Sequence, residues 1–117
     1  MNRSPISHVR LGDIAHARSG DKGNRANIGV VANDPTSYAH LHKVLTSEAV
    51  AEFLKPMAAG HVTRYELPKI LAYNFVIDQA LGGGASRSLR LDTQGKALGT
   101  ILLEMMLPAP EHGESSP

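Results

Sequence analysis

Two apolar segments separated by a polar, glycine-bearing stretch constrain this chain more than any other feature. The stretch reads Ala17-Arg18-Ser19-Gly20-Asp21-Lys22-Gly23-Asn24-Arg25-Ala26-Asn27-Ile28-Gly29-Val30. Gly20 and Gly23 accept positive φ, and Asn24 tolerates it better than most residues. With Ile28, Val30 and Val31 following as a strand, the stretch implies a tight connection between two strands. Backbone N–H groups that converge in such a loop, with Arg18, Lys22 and Arg25 beside them, bind an anion. The same residues also suit a hairpin whose charges are merely solvated, because polar turns are commoner than functional ones. The loop is not a nucleotide P-loop: Lys22 precedes Gly23, and a strand rather than a helix follows.

The remaining elements follow from spacing. His8–His16 alternates weakly through Val9, Leu11 and Ile14, which predicts one strand bulged near Gly12. Ala26–Ala32 is the second strand. Asp34-Pro35 is a helix start, with Asp34 as N-cap and Pro35 at the first helical position. The helix runs from about Pro35 to Lys55 and restarts at Thr46, where Val50, Phe53, Leu54 and Met57 take up a shifted phase. His61–Leu67 is a third strand, with Thr63, Tyr65 and Leu67 on one face and Val62, Arg64 and Glu66 on the other. Lys69–Leu81 fits two periods: Leu71, Tyr73, Phe75 and Ile77 alternate, while Ile70, Tyr73, Ile77 and Leu81 have helical spacing. Its length, Pro68 before it and Gly82 after it favour a helix. Gly82-Gly83-Gly84 is a sharp turn. Ser86–Asp92 is a strand, Thr93–Lys96 a hairpin turn, and Leu98–Leu107 a last strand apolar on both faces, with a helix there as the runner-up. The expected architecture is α+β: a two-layer sandwich of a largely antiparallel sheet with helices on one face.

At 117 residues the chain is one domain, expected over residues 8–108, with a flexible segment at 1–7 and a disordered tail at 109–117. A formal net charge of +1 and only three Tyr and two Phe as aromatic residues argue against a nucleic-acid partner. The chain has no Cys, which excludes disulfides and thiolate chemistry and fits a reducing cytoplasm. No apolar run reaches the length of a membrane span, and Met1–Ser7 lacks the apolar core of a secretory signal.

The chemistry-bearing residues form few strong patterns. His40 and His42 lie two apart on a helix and face different ways, and no zinc-type spacing occurs, so no metal site and no cofactor are expected. Gly84-Ala85-Ser86-Arg87-Ser88 approaches a nucleophile elbow without matching it. Arg64 and Glu66 share a strand face, where a cross-strand ion pair is the economical reading. A stronger combination arises if the glycine turns at 19–24 and 82–84 meet at one sheet end. Arg18, Lys22, Arg87 and Arg90 would then surround a carboxylate, phosphate or acyl-thioester group.

The segments ARSGDKGN–NIGV, RYELP, ALGGG and SRSLRLD, with the QGK and LG that follow, resemble the small AtuA-like ferredoxin-fold domain. The resemblance runs from about Val9 to Leu107. It implies a ferredoxin-like fold and a link to the breakdown of acyclic terpenoids and branched acyl-CoA compounds. Carried over by position, the family signature falls on Arg18, Ser19, Gly20, Asp21, Lys22, Gly23, Asn24 and Asn27. It continues on Arg64, Glu66, Asn74, Gly82, Gly83, Gly84, Ser88, Arg90, Asp92, Gly95 and Lys96. No catalytic residue follows from it. The family's domain also occurs at the C-terminal end of larger AtuA-type proteins, which implies a separate AtuA-type large subunit as a partner. Two functions are therefore expected as alternatives: an accessory subunit of such a protein, or a stand-alone enzyme or binding module for an anionic acyl ligand. The apolar last strand adds an expectation of a homo-oligomer.

Overall fold

The computed structural model describes residues 7–22, 25–55, 60–78 and 96–110. The long first strand of the sequence reading is in fact broken. A short strand β1 (His8–Arg10) gives way to a single helical turn α1 (Leu11–Ile14), and β2 (Ala15–Lys22) begins anew. The turn places Leu11 in the core and redirects the chain. Here Leu11 N–H reaches Met105 O and Gly12 N–H reaches Leu103 O, each at 2.9 Å. Strand β3 (Arg25–Ala32) pairs with β2 antiparallel, Lys22 opposite Arg25 and Ala15 opposite Ala32.

Helices α2 (Pro35–Val44) and α3 (Ser47–Leu54) form where the capping signals lie. Asp34 accepts from Ser37 N–H at 2.7 Å and Thr46 Oγ1 from Ala49 N–H at 3.0 Å, so each helix has its own N-cap and the break at Thr46 is genuine. Strand β4 (Val62–Leu67) follows with the expected two faces.

The next element departs from the helix expectation. Pro68–Ile70 is one 3-10 turn, and β5 (Ala72–Asp78) is a strand that buries Tyr73, Phe75 and Ile77. The alternation was the true signal. The competing helical set required Ile70, which is exposed, and the aromatic and β-branched content of 73–77 favours a strand. A second departure lies at the end of the chain. Lys96–Leu102 is helix α4, and only Met106–Pro108 is a strand, β6. Leu98 and Leu102, four apart, point together into the core. An unbroken apolar run does not by itself separate a buried helix from a buried strand. The expected turn at Gly82–Gly84 and strand at Ser86–Asp92 lie outside the described residues, as does most of the turn at Thr93–Lys96, of which Lys96 opens α4.

Four strands form one sheet in the order β2-β3-β5-β4, every neighbouring pair antiparallel. Strands β3 and β4 run parallel with β5 between them, so β3-α2-α3-β4 is a split β-α-β unit. The described elements from β2 onward thus read β-β-α-β-β-α, with α2 and α3 counted as one helical layer. Moving β2 to the end of that list recovers the β-α-β-β-α-β order of a ferredoxin-like fold, so the fold is a circularly permuted version of it. Strands β1 and β6 pair as a separate antiparallel ribbon, extended by Ala109 N–H to Ser7 O at 2.9 Å.

The helices cover one sheet face. That face presents Ile28, Val30, Tyr73, Phe75 and Ile77, which pack with Leu41, Leu45, Val50, Leu54, Leu98 and Leu102. Helix α4 approaches β2 most closely at Gly99. A Cβ there would stand 3.0 Å from Ser19 Oγ and 3.3 Å from Ser19 N, and Gly99 N–H donates to that hydroxyl at 2.9 Å. This close approach explains a glycine inside a helix, where glycine is otherwise unfavourable. Among the described residues, no helix is long and apolar enough to cross a membrane.

Candidate functional site

The second sheet face carries no helix. Strand pairing fixes its layout as rows of residues running across the sheet. One row holds His16, Val31, Ala72 and Leu67; the next holds Arg18, Gly29, Asn74 and Tyr65; a third holds Gly20, Asn27, Val76 and Thr63. Val31, Tyr65 and Leu67 are 41%, 54% and 42% exposed, large apolar side chains left in water.

A concavity of about 800 Å³ opens over β2 and β3 on this face. Its lining includes His16, Arg18, Gly20, Asn27, Gly29 and Val31. Arg18 is exposed and has no carboxylate partner among the described residues. By contrast Arg10 pairs with Asp13 and Glu104, Arg25 with Asp78, and Arg64 with Glu66. Beyond the glycine floor, Asn27 Nδ2 donates to Asn74 Oδ1 at 3.3 Å.

Of the site residues read from the sequence, the structure brings Arg18, Gly20 and Asn27 together here. Their setting differs from the expected loop. Residues 18–22 are extended strand, so their N–H groups alternate along a ladder instead of converging on one point. Ser19 turns to the helix-covered face and accepts Gly99 N–H. Asp21 and Lys22 are ladder positions opposite Ala26 and Arg25. Gly23, Asn24, Gly82, Gly83, Gly84, Arg87 and Arg90 lie outside the described residues, and so does the meeting of the two glycine turns. The sequence reading missed His16, Gly29 and Val31 as lining. Period-two alternation along β3 puts Asn27, Gly29 and Val31 on one face, and that signal was sufficient to find two of the three.

Arg64 and Glu66 prove to be a structural pair along one strand, not across two. Arg64 Nη2 reaches Glu66 Oε2 at 2.9 Å, while Nη1 donates to His42 O at 3.2 Å and Leu45 O at 2.9 Å. The guanidinium also lies 5.0 Å from the Tyr73 ring centre. It thereby caps the end of α2 at the corner into α3, with its side chain 15% exposed. His42 completes the corner through Glu66 at 3.3 Å. His40 reaches Pro108 O with Nε2 at 2.6 Å, joining α2 to β6. His8 and His16 sit on different strands. Among the described residues no His, Asp and Glu cluster could hold a metal ion.

Residues 9–108 match the family model of the AtuA ferredoxin-like domain. No curated protein matches the chain, and no solved structure does.

Proposed function

The chain belongs to the AtuA ferredoxin-like domain family, and from that membership we propose that it is the small recognition module of an AtuA-type protein. In this reading it docks by its bare sheet face against a larger AtuA-type chain that acts on acyclic terpenoid or branched acyl-CoA compounds in the cytoplasm. The observation that supports it is the uncovered face itself. Val31, Tyr65 and Leu67 stand side by side in adjoining rows, exposed and unopposed. Clustered apolar side chains of this size on a folded surface mark contact sites. A central aromatic such as Tyr65 is the kind of residue that dominates interface energetics.

Co-expression with the AtuA-type large chain of the same genome tests the proposal. The two chains co-purify as a defined complex, and Tyr65→Glu with Leu67→Glu abolishes it while leaving the melting temperature of the small chain in place. Independent elution of the wild-type chains at micromolar concentration overturns it. The second reading, a module that takes an anionic acyl ligand by itself, is supported by unpaired Arg18 in the concavity on the same face.

A further inference from the structure

The barest part of the open face is the corner between β2 and β3. Arg18 stands opposite Gly29, Gly29 opposite Asn74, and Gly20 opposite Asn27. Two neighbouring strands therefore expose backbone as a floor, with a guanidinium on one side and two amides on the other.

The fold does not require those glycines. Neither Gly20 nor Gly29 has a left-handed φ, and an added Cβ would meet Asn27 Oδ1 at 3.7 Å or Arg18 O at 3.8 Å, which is ordinary contact. Glycine inside a strand weakens it, and it marks places where a ligand or another backbone comes close. Arg18, in turn, lacks the carboxylate that every other described arginine has. The Asn27–Asn74 bond engages one donor and one acceptor, so each side chain keeps further hydrogen-bonding capacity.

We infer that this trough binds a monocarboxylate with a short apolar tail. The Arg18 fork takes the carboxylate, the Asn74 amide donates beside it, and the tail crosses the Gly29 floor against Val31. Charge selects this class. The lining carries one guanidinium and no carboxylate, which balances one negative charge, and a planar guanidinium matches a planar carboxylate with two parallel hydrogen bonds. The tail has an apolar wall in half-exposed Val31. The inference rests on the open face being a recognition surface, and a docked chain would close the trough from above.

Amide chemical shifts of the full chain, titrated with hexanoate, test it, with hexanamide and inorganic phosphate as controls. Hexanoate produces saturable shifts confined to residues 16–20, 27–31 and 72–76, and the controls do not. Arg18→Gln weakens hexanoate about ten- to hundredfold, the value of a charge-assisted contact. Gly29→Val abolishes binding while its melting temperature stays level or rises; Gly29→Ala gives the same comparison with a smaller side chain. The inference falls if wild type shows no saturable shifts, if Arg18→Gln binds hexanoate as wild type does, or if phosphate or hexanamide binds equally well. Because the titration uses the isolated chain, its failure leaves docking to the large chain untouched. Failed co-purification alongside hexanoate binding would remove only the large chain.

Discussion

Tyr38 and Tyr73 show how much one hydroxyl decides. Their rings stack with centres 4.5 Å apart, and Tyr73 Oη donates to the Tyr38 carbonyl at 2.7 Å. The Tyr38 hydroxyl is buried and has no partner among the described residues. A buried polar atom without a partner costs about 1–3 kcal/mol, whereas a satisfied one contributes about 1 kcal/mol. Tyr38→Phe is therefore expected to leave stability unchanged or raise it by up to about 2 kcal/mol, and Tyr73→Phe to lower it by about 1 kcal/mol, in urea unfolding. Burial, then the neighbouring Tyr38, pushes the Tyr73 phenol above its ordinary value of 10.0. A raised value stabilises the fold fully below pH 10 and loses that stabilisation as pH climbs beyond it. Wild type thus weakens in alkali more steeply than Tyr73→Phe. A purely apolar role for Tyr73 would give parallel curves. None of this was legible from the sequence, where the two tyrosines belonged to separate predicted helices. Arg64 was visible as a polar residue on an inward face, but its partners are carbonyls of α2 that spacing does not reveal.

Among the elements, those with explicit end signals were readable and those without were not. The α2–α3 pair was legible down to its break because Asp34 and Thr46 are cap residues with the right neighbours. Thr46→Ala is expected to cost about 1 kcal/mol by orphaning Ala49 N–H, and Thr46→Ser close to nothing, measured by chemical denaturation. The Ser37 backbone N–H, then the Ser37 side chain, holds the Asp34 carboxyl below its ordinary value of 3.8. A lowered value stabilises the fold above that ordinary value and is lost as pH falls through the folded-state value. Asp34→Asn keeps the cap and removes this part of the acid dependence. Strand β5 and helix α4 were misread for a shared reason. Each is a mostly apolar segment in which two periods compete, and Pro68 or Gly99 looked like evidence for the wrong one. Gly99 in particular is a contact residue, set by Ser19 across the layer interface. The candidate site suffered the same way: Arg18, Gly20 and Asn27 were picked out, but as parts of a turn, because glycine signals turns more often than bare strand.

At the scale of the whole molecule, the question is which apolar surface lacks cover. The oligomer expectation came from Leu98–Leu107 read as a strand with two apolar faces. Leu98, Leu102, Met105 and Leu107 instead fill the core of a single chain, so that premise is gone. The uncovered surface lies elsewhere, on the sheet opposite the helices, with Val31, Tyr65 and Leu67 exposed and Ile70 beside them in the β4–β5 connection. A four-stranded sheet with helices on one side is a two-layer structure, and a third layer on its bare side must come from outside the described fold. A large AtuA-type chain is the proposed layer; without one, a second copy offers the same patch to itself about a two-fold axis, which satisfies an isologous contact. The isolated chain is therefore expected to run in light scattering at twice its 12.5 kDa mass when concentrated. Tyr65→Glu with Leu67→Glu should return it to the single mass without lowering its melting temperature, because exposed side chains contribute little to the monomer's stability. Adding the large chain should dissolve the homodimer, since both contacts need the same residues. A single mass at all concentrations would remove self-association, while a double mass that survives both glutamates would move the contact to another surface, such as the β1–β6 ribbon with exposed Met106.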